Sequence, residues 1–248
     1  VFLGVGLWLI GLPGALAIGL IAALFEWIPV VGTIAGAGLA VLIAATAYPN
    51  DPWVVYATLG LFALVRTLDN FFFIPLTVGG GIRTVPDIAA ALRAGADKVS
   101  LNSAAVRRPE ILTEGADRFG AQCIVASVDA KWDGQKYRVY VSGGRTATEL
   151  DAIAWAEACV ERGAGEILLT SIDRDGRRDG YDLGLTRAVS RAVDVPVIAS
   201  GGAGSAAHVC AAITEGGAEG ALVAGILHDR VTTVGALKRA MRDAAIPV

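Results

Sequence analysis

Two glycine turns and one aspartate carry the chemistry of this sequence. Gly79-Gly80-Gly81 and Gly201-Gly202 each close a short apolar run and open an amphipathic one. Backbone without side chains can come close to an anion, and the start of a helix offers free N–H groups to it. A lone Gly-Gly pair is most simply a tight turn; the same context met twice points to phosphate. Asp129 ends the run "CIVASVD", where a carboxylate can take or give a proton. Asp173 and Asp175, in "SIDRDG", are alternatives, although an Asp before Gly ordinarily caps a loop. Cys123, Cys159, Cys210, His208 and His228 stand far apart, with no metal-ligand spacing. No metal and no cofactor are expected, and reduced thiols suit a cytoplasmic setting.

The elements that must position these groups follow a regular order. The runs "IPLTV", "KVSLN", "CIVASVDA", "EILLTSID", "PVIAS" and "GALVAGIL" alternate with amphipathic stretches such as "VPDIAAALRAG" and "VGALKRAMRDA". Buried strands alternating with helices predict parallel βα units. After Asp129 the stretch "KWDGQKYRVYVSGGR" predicts a β-hairpin turning at Asp133-Gly134. Residues 75–106 also align with 196–227, at an offset of 121 that becomes 122 after one inserted residue. Such a repeat marks a barrel made of two similar halves. Two anion turns half a barrel apart imply a substrate with a phosphate at each end.

"PLTVGGGIRTV", "GADKVSLNSAAV", "VDAKWDG", "GAGEILLTSIDRDGRRDGYD" and "VIASGGAG" resemble the cyclase subunit of imidazole glycerol phosphate synthase, over essentially all of 74–248. The related isomerase of histidine biosynthesis shares the phosphate turns and fits "LLTSIDRDG" and "ASGGAG" less well. The resemblance implies a lyase-type enzyme in which ammonia from a glutaminase subunit closes a ring on a bisphosphorylated substrate. Asp129 matches one of the family's two catalytic aspartates. Gly81, Asn102 and Ser103 match one phosphate site; Asp175, Gly176, Gly201, Gly202, Ala224 and Gly225 match the other. Gly225 stands where the family often has Ser. Lys98 and Glu166 match two members of a charged gate at the ammonia entrance.

The first 76 residues are a different material. They carry four charged side chains, Glu26, Asp51, Arg66 and Asp69, whereas the other 172 residues carry 41. Val1–Phe25 and Trp27–Asn50 are uncharged, each long enough for a bilayer core of roughly 20 apolar residues. "GLPG" at 11–14 interrupts the first, and "GTIAG" in the second has small-residue spacing for close helix contact. Trp27, Tyr48, Trp53 and Tyr56 fall near the run ends, where interfacial rings gather. This stretch resembles the C-terminal membrane region of the autoinducer-2 exporter family of permeases, up to about residue 75. The expected organisation is an apolar all-α, transmembrane-like segment over 1–73. A (βα)8-type barrel lacking its first two βα units would follow over 74–248, the two joined as a chimera near "IPL". The repeat offset places the partner of Asp129 at position 8, which is Trp8. A chain with one catalytic acid is expected to turn over poorly. Its alternative role would be a permease fragment with an idle soluble tail, held at the membrane through residues 1–70. The net charge of −3 gives no pull toward nucleic acid.

Overall fold

The computed structural model describes residues 2–25, 31–72 and 76–248. Trp27, and Ile74 and Pro75 of "IPL", lie outside them. The chain divides into two compact units, Val1–Ile74 and Pro75–Val248.

In the first unit the apolar runs fold into four helices: α1 (Phe2–Leu9), α2 (Ala15–Phe25), α3 (Val31–Ala47) and α4 (Pro52–Phe72). The break between α1 and α2 is the "GLPG" turn, where Gly11 and Gly14 take φ of 85° and 70°. The Tyr48 hydroxyl donates to the Gly11 carbonyl at 2.7 Å and holds that turn. Each helix packs on the next and α1 returns to α4, enclosing Leu7, Leu12, Ile18, Ala44 and Phe62. Helices α1 and α2 touch backbone to backbone: a Cβ on Gly19 would stand 2.7 Å from the Gly4 Cα.

The expected membrane spans are not found. Among the described residues no helix is long and apolar enough to cross a membrane. The glycine turn cuts the first run into pieces of 8 and 11 residues, and α3 has 17. Helix α4 has 21 residues but runs into Arg66 and Asp69. Trp8 lies on α1, 65 % exposed, so position 8 is not a strand end and the repeat arithmetic finds no barrel counterpart there.

The second unit is a parallel α/β sheet wrapped as a partial barrel. Its elements are β1 (Thr77–Gly79), α5 (Val85–Arg93), β2 (Lys98–Leu101), α6 (Ser103–Arg107), α7 (Glu110–Phe119), β3 (Ile124–Trp132), β4 (Tyr137–Val141) and β5 (Thr146–Asp151). There follow α8 (Ala152–Glu161), β6 (Glu166–Ser171), α9 (Leu183–Ala192), β7 (Val197–Ser200), α10 (Ala206–Thr214), β8 (Gly220–Ala221), α11 (Gly225–His228) and α12 (Val234–Asp243). Strands β1, β2, β3, β6, β7 and β8 lie side by side in that order, all parallel. The run "GALVAGIL" is a shorter strand than its apolar length suggested. The ladder stops at Ala221, apart from one bond from Leu222 N–H to the Ala199 carbonyl, and Gly225 already starts a helix.

Alternation along the strands sorts the two faces. Val99, Leu101, Ile124, Ala126, Val128, Ile167 and Leu169 are buried in the main core with Ile88, Ile111, Leu112, Trp155 and Leu185 from the helices. Burying each of the larger aliphatic chains stabilises by about 1.5–3 kcal/mol. Ser127 and Asp129 alternate with these positions and stay half-buried on the concave side. The hairpin at Asp133-Gly134 is present, turned by Gly134 at φ 101°. Asp133 Oδ1 accepts from the amides of Gln135 and Lys136, both at 2.9 Å. It is the upper half of β3, Asp129–Trp132, that pairs with β4.

The internal repeat is physical. Helices α5 and α10 both follow a glycine turn, and α6 and α11 both follow the next strand. Thr84 and Ser205 cap their helices alike, each accepting from the amide three residues on. In the first copy Asp87 Oδ2 accepts from Arg83 N–H at 3.0 Å. In the second, His208 Nδ1 accepts from Gly204 N–H at 3.2 Å at the matching place. His208 is therefore a capping residue.

Candidate functional site

The strand ends β1, β2 and β3 open into a cavity of about 730 Å³. Gly80 and Gly81, at φ 86° and 76°, have nothing within 4 Å of where a Cβ would be. They leave bare backbone along one wall. Asn102 and Ser103 follow β2 on the next wall, and Ser127 and Asp129 come from β3. Gly81, Asn102, Ser103 and Asp129 thus stand around one space. Sequence reading missed Arg83, Arg107, Arg145 and Ser142, which also line it. Arg83 was hidden because its repeat partner is Gly204, and Arg145 because it lies in the hairpin insertion. Ser142, strained at φ 57°, donates its amide to Ser103 Oγ at 2.9 Å, bringing the hairpin tip against this wall.

Asp129 is the only carboxylate lining this cavity among the described residues. Burial raises its carboxyl above the ordinary range; the Asn102 amide, bonded to Oδ2 at 2.8 Å, pulls it down. The nearby Asp175 charge pushes it up again. Burial prevails, so the group is a weaker acid than a free aspartate and a better proton acceptor once ionised.

A second, smaller pocket of about 140 Å³ lies at the ends of β7 and β8. Asp175, Gly176, Gly201, Gly202, Ala224 and Gly225 all line it, joined by Arg178 and Ser200, which sequence reading missed. Leu222 lines both pockets, so they share a wall. The Gly201-Gly202 turn differs from its repeat in being crowded. A Cβ on Gly201 would stand 2.7 Å from the Ser171 carbonyl oxygen, and one on Gly202 would collide with that of Gly180. Gly180 N–H donates to the Gly202 carbonyl at 2.9 Å, so the loop after β6 rests directly on this turn.

One part of the chemical expectation needs correcting. The helices directly after the glycine turns do not offer open N-termini, because Thr84 and Asp87 close a capping box on α5 and Ser205 caps α10. The turns without side-chain caps are those entering α6 and α11, one strand later in each repeat.

Lys98 and Glu166 line neither pocket. They begin β2 and β6, the strands flanking β3, and their side chains form an ion pair across it. Glu166 is buried and Lys98 partly exposed. The pair is at the N-terminal ends of the strands, opposite the cavity. Among the described residues no cluster of His, Cys, Asp and Glu could hold a metal ion.

Comparison with known proteins fits this architecture. A family model described as "Histidine biosynthesis protein" matches residues 60–233. The chain is 69% identical over 188 residues to "Imidazole glycerol phosphate synthase subunit HisF" of Myxococcus xanthus, covering 76% of this chain and 74% of that protein. It is 54% identical over 189 residues to the protein of the same description from Thermosynechococcus vestitus, covering 74% and 67%. With that of Anoxybacillus flavithermus it shares 54% over 187 residues, covering 75% and 74%. The family match begins inside α4, upstream of the expected seam at 74–76. The seam is therefore not the edge of the resemblance, and these matches lend no support to a permease or a chimera. On this match and on its parallel barrel sheet, the chain belongs to the histidine biosynthesis protein family that includes the HisF subunit of imidazole glycerol phosphate synthase.

Proposed function

We propose that this chain acts as the cyclase subunit of imidazole glycerol phosphate synthase, a lyase-type enzyme. The observation that carries the reading is the pair of adjoining pockets, each floored by a glycine turn, with Asp129 on the wall of the larger. A bisphosphorylated substrate places one phosphate by Gly81, Asn102 and Ser103. The other lies by Asp175, Gly176, Gly201, Gly202, Ala224 and Gly225. The reacting carbons then fall between them, within reach of Asp129. Its ionised carboxylate takes a proton as ammonia adds, and returns it as the ring closes. The carbonyl oxygen that ammonia displaces leaves as water, and the other products are imidazole glycerol phosphate and the aminoimidazole carboxamide ribotide.

Ammonia comes from a glutaminase subunit docked at the end of the barrel marked by Lys98 and Glu166. That ion pair forms part of its gate. The setting is the cytoplasm, in keeping with three free cysteines. Turnover by this chain is slow, because Asp129 has no second carboxylate facing it from the wall of its own cavity among the described residues. The test is ammonia-dependent turnover of the ribulosyl-formimino bisphosphate by the full chain and by Asp129→Asn. A weak activity that disappears in the variant supports the reading. Activity that the variant retains in full would overturn it.

A further inference from the structure

We propose that Arg178 is the cationic ligand of the second pocket, occupying the space over Gly225 that a larger side chain would need. Three observations converge on its guanidinium. Arg178 is the only cation lining this pocket among the described residues. A Cβ on Gly225 would stand 3.2 Å from Arg178 Nη2 and 3.5 Å from its Nε, so the guanidinium lies over the bare backbone there. Gly225 is not in the left-handed region. Its backbone does not demand glycine; the space does.

The placement is built from several elements. Arg178 itself is left-handed, at φ 61°, a conformation a branched or bulky chain resists and only a packed loop maintains. Its carbonyl presses on Gly204, where any Cβ would collide with it. Asp229, just past α11, accepts from Nη2 and fixes the far end. A guanidinium has five N–H donors, so one bond to Asp229 leaves others for an oxyanion. The pocket otherwise offers bare glycine backbone, the Ser200 hydroxyl and the opposing charge of Asp175. Arg178 offsets the charge of Asp175, and its remaining N–H donors join the bare backbone in receiving an oxyanion.

The proposal rests on the reading of this pocket as a phosphate site, and one experiment separates the two. Inorganic phosphate is titrated into the ¹⁵N-labelled full chain, following the Gly202 amide for this pocket and the Gly81 amide for the other. Arg178→Met should weaken the response at Gly202 roughly tenfold while leaving Gly81 unchanged, as expected for loss of a charge-assisted bond. Arg178→Lys should fall between, since an ammonium cannot reproduce the planar fork. Adding Gly225→Ser to Arg178→Met should recover part of the loss, because the vacated space then admits a hydroxyl donor. The same Gly225→Ser change with Arg178 in place should not tighten binding. An unchanged Gly202 response in Arg178→Met would overturn the proposal and leave the phosphate site standing. No Gly202 response in the unmodified chain would overturn both.

Discussion

Asn102 and Asp129 meet across neighbouring strands, the Asn102 Nδ2 donating to Asp129 Oδ2 at 2.8 Å just beyond the end of β2. The bond favours the ionised carboxylate, and burial opposes it more strongly. The group is therefore placed for proton transfer at some cost to the fold.

That cost gives a prediction with a definite sign. A carboxyl whose pKa is raised on folding binds protons more tightly in the native state, so its stability contribution falls as pH rises from the unfolded value through the folded one. Asp129→Asn should make the fold more stable at neutral pH, and the gain should vanish in acid below the ordinary aspartate range. Urea midpoints across pH measure it; a variant equally destabilised at every pH would contradict it. Any cyclase activity should fall by ~10²–10⁴-fold.

The Lys98–Glu166 pair should behave as a pair rather than as two residues. Lys98→Met leaves Glu166 charged and buried, and should cost about 2 kcal/mol, below the usual cost of breaking a buried pair because Lys98 is partly exposed. The double change with Glu166→Gln should recover much of that. Denaturation of the four proteins closes the cycle, and additive losses would show that the two side chains do not interact.

The two glycine turns should respond differently to one methyl group. Gly80→Ala meets open space and only the left-handed backbone penalty, about 1–2 kcal/mol. Gly202→Ala carries that penalty and also drives a Cβ into the Gly180 carbonyl. It should cost about 3 kcal/mol or more. Equal losses in urea melts would mean that the loop after β6 yields freely.

Cys159 should be silent toward thiol reagents. It lies on the buried face of α8, fully enclosed, and burial pushes its thiol up to about 12. In the native protein iodoacetamide should label the half-buried Cys123 and Cys210 and miss Cys159, which reacts only on denaturation. Because its pKa is raised, the native state keeps a proton that the unfolded chain loses above about pH 9, so stability should fall from there toward pH 12. Mass mapping of labelled cysteines checks the first point.

Much of this molecule could be read along the chain. Short apolar runs between amphipathic stretches are a local signal, so the parallel strands, the Asp133-Gly134 hairpin and the repeated strand–turn–helix units follow from residue order. Asp129 could be singled out because it closes an apolar run, but the strand itself does not end there: β3 continues to Trp132 by pairing with β4. The length of β8 was not local: its apolar run continues to Leu227, but the ladder with β7 ends at Ala221, and only the partner strand sets that limit. Uncharged runs in the first unit specified helices, but whether they were long enough to span depended on where the Gly11 and Gly14 turn broke them. The helices after the glycine turns suggested open N-termini, and it took the folded caps of Thr84, Asp87 and Ser205 to close them. Arg83, Arg145 and Arg178 have no periodicity that marks them, since a charged loop residue reads alike whether it faces water or a pocket. Residue types and spacing thus determined the elements and the acid that closes the apolar run of β3. Tertiary structure alone decided which loops converge, because a side chain's direction is fixed by the strands, bulges and turns on either side of it.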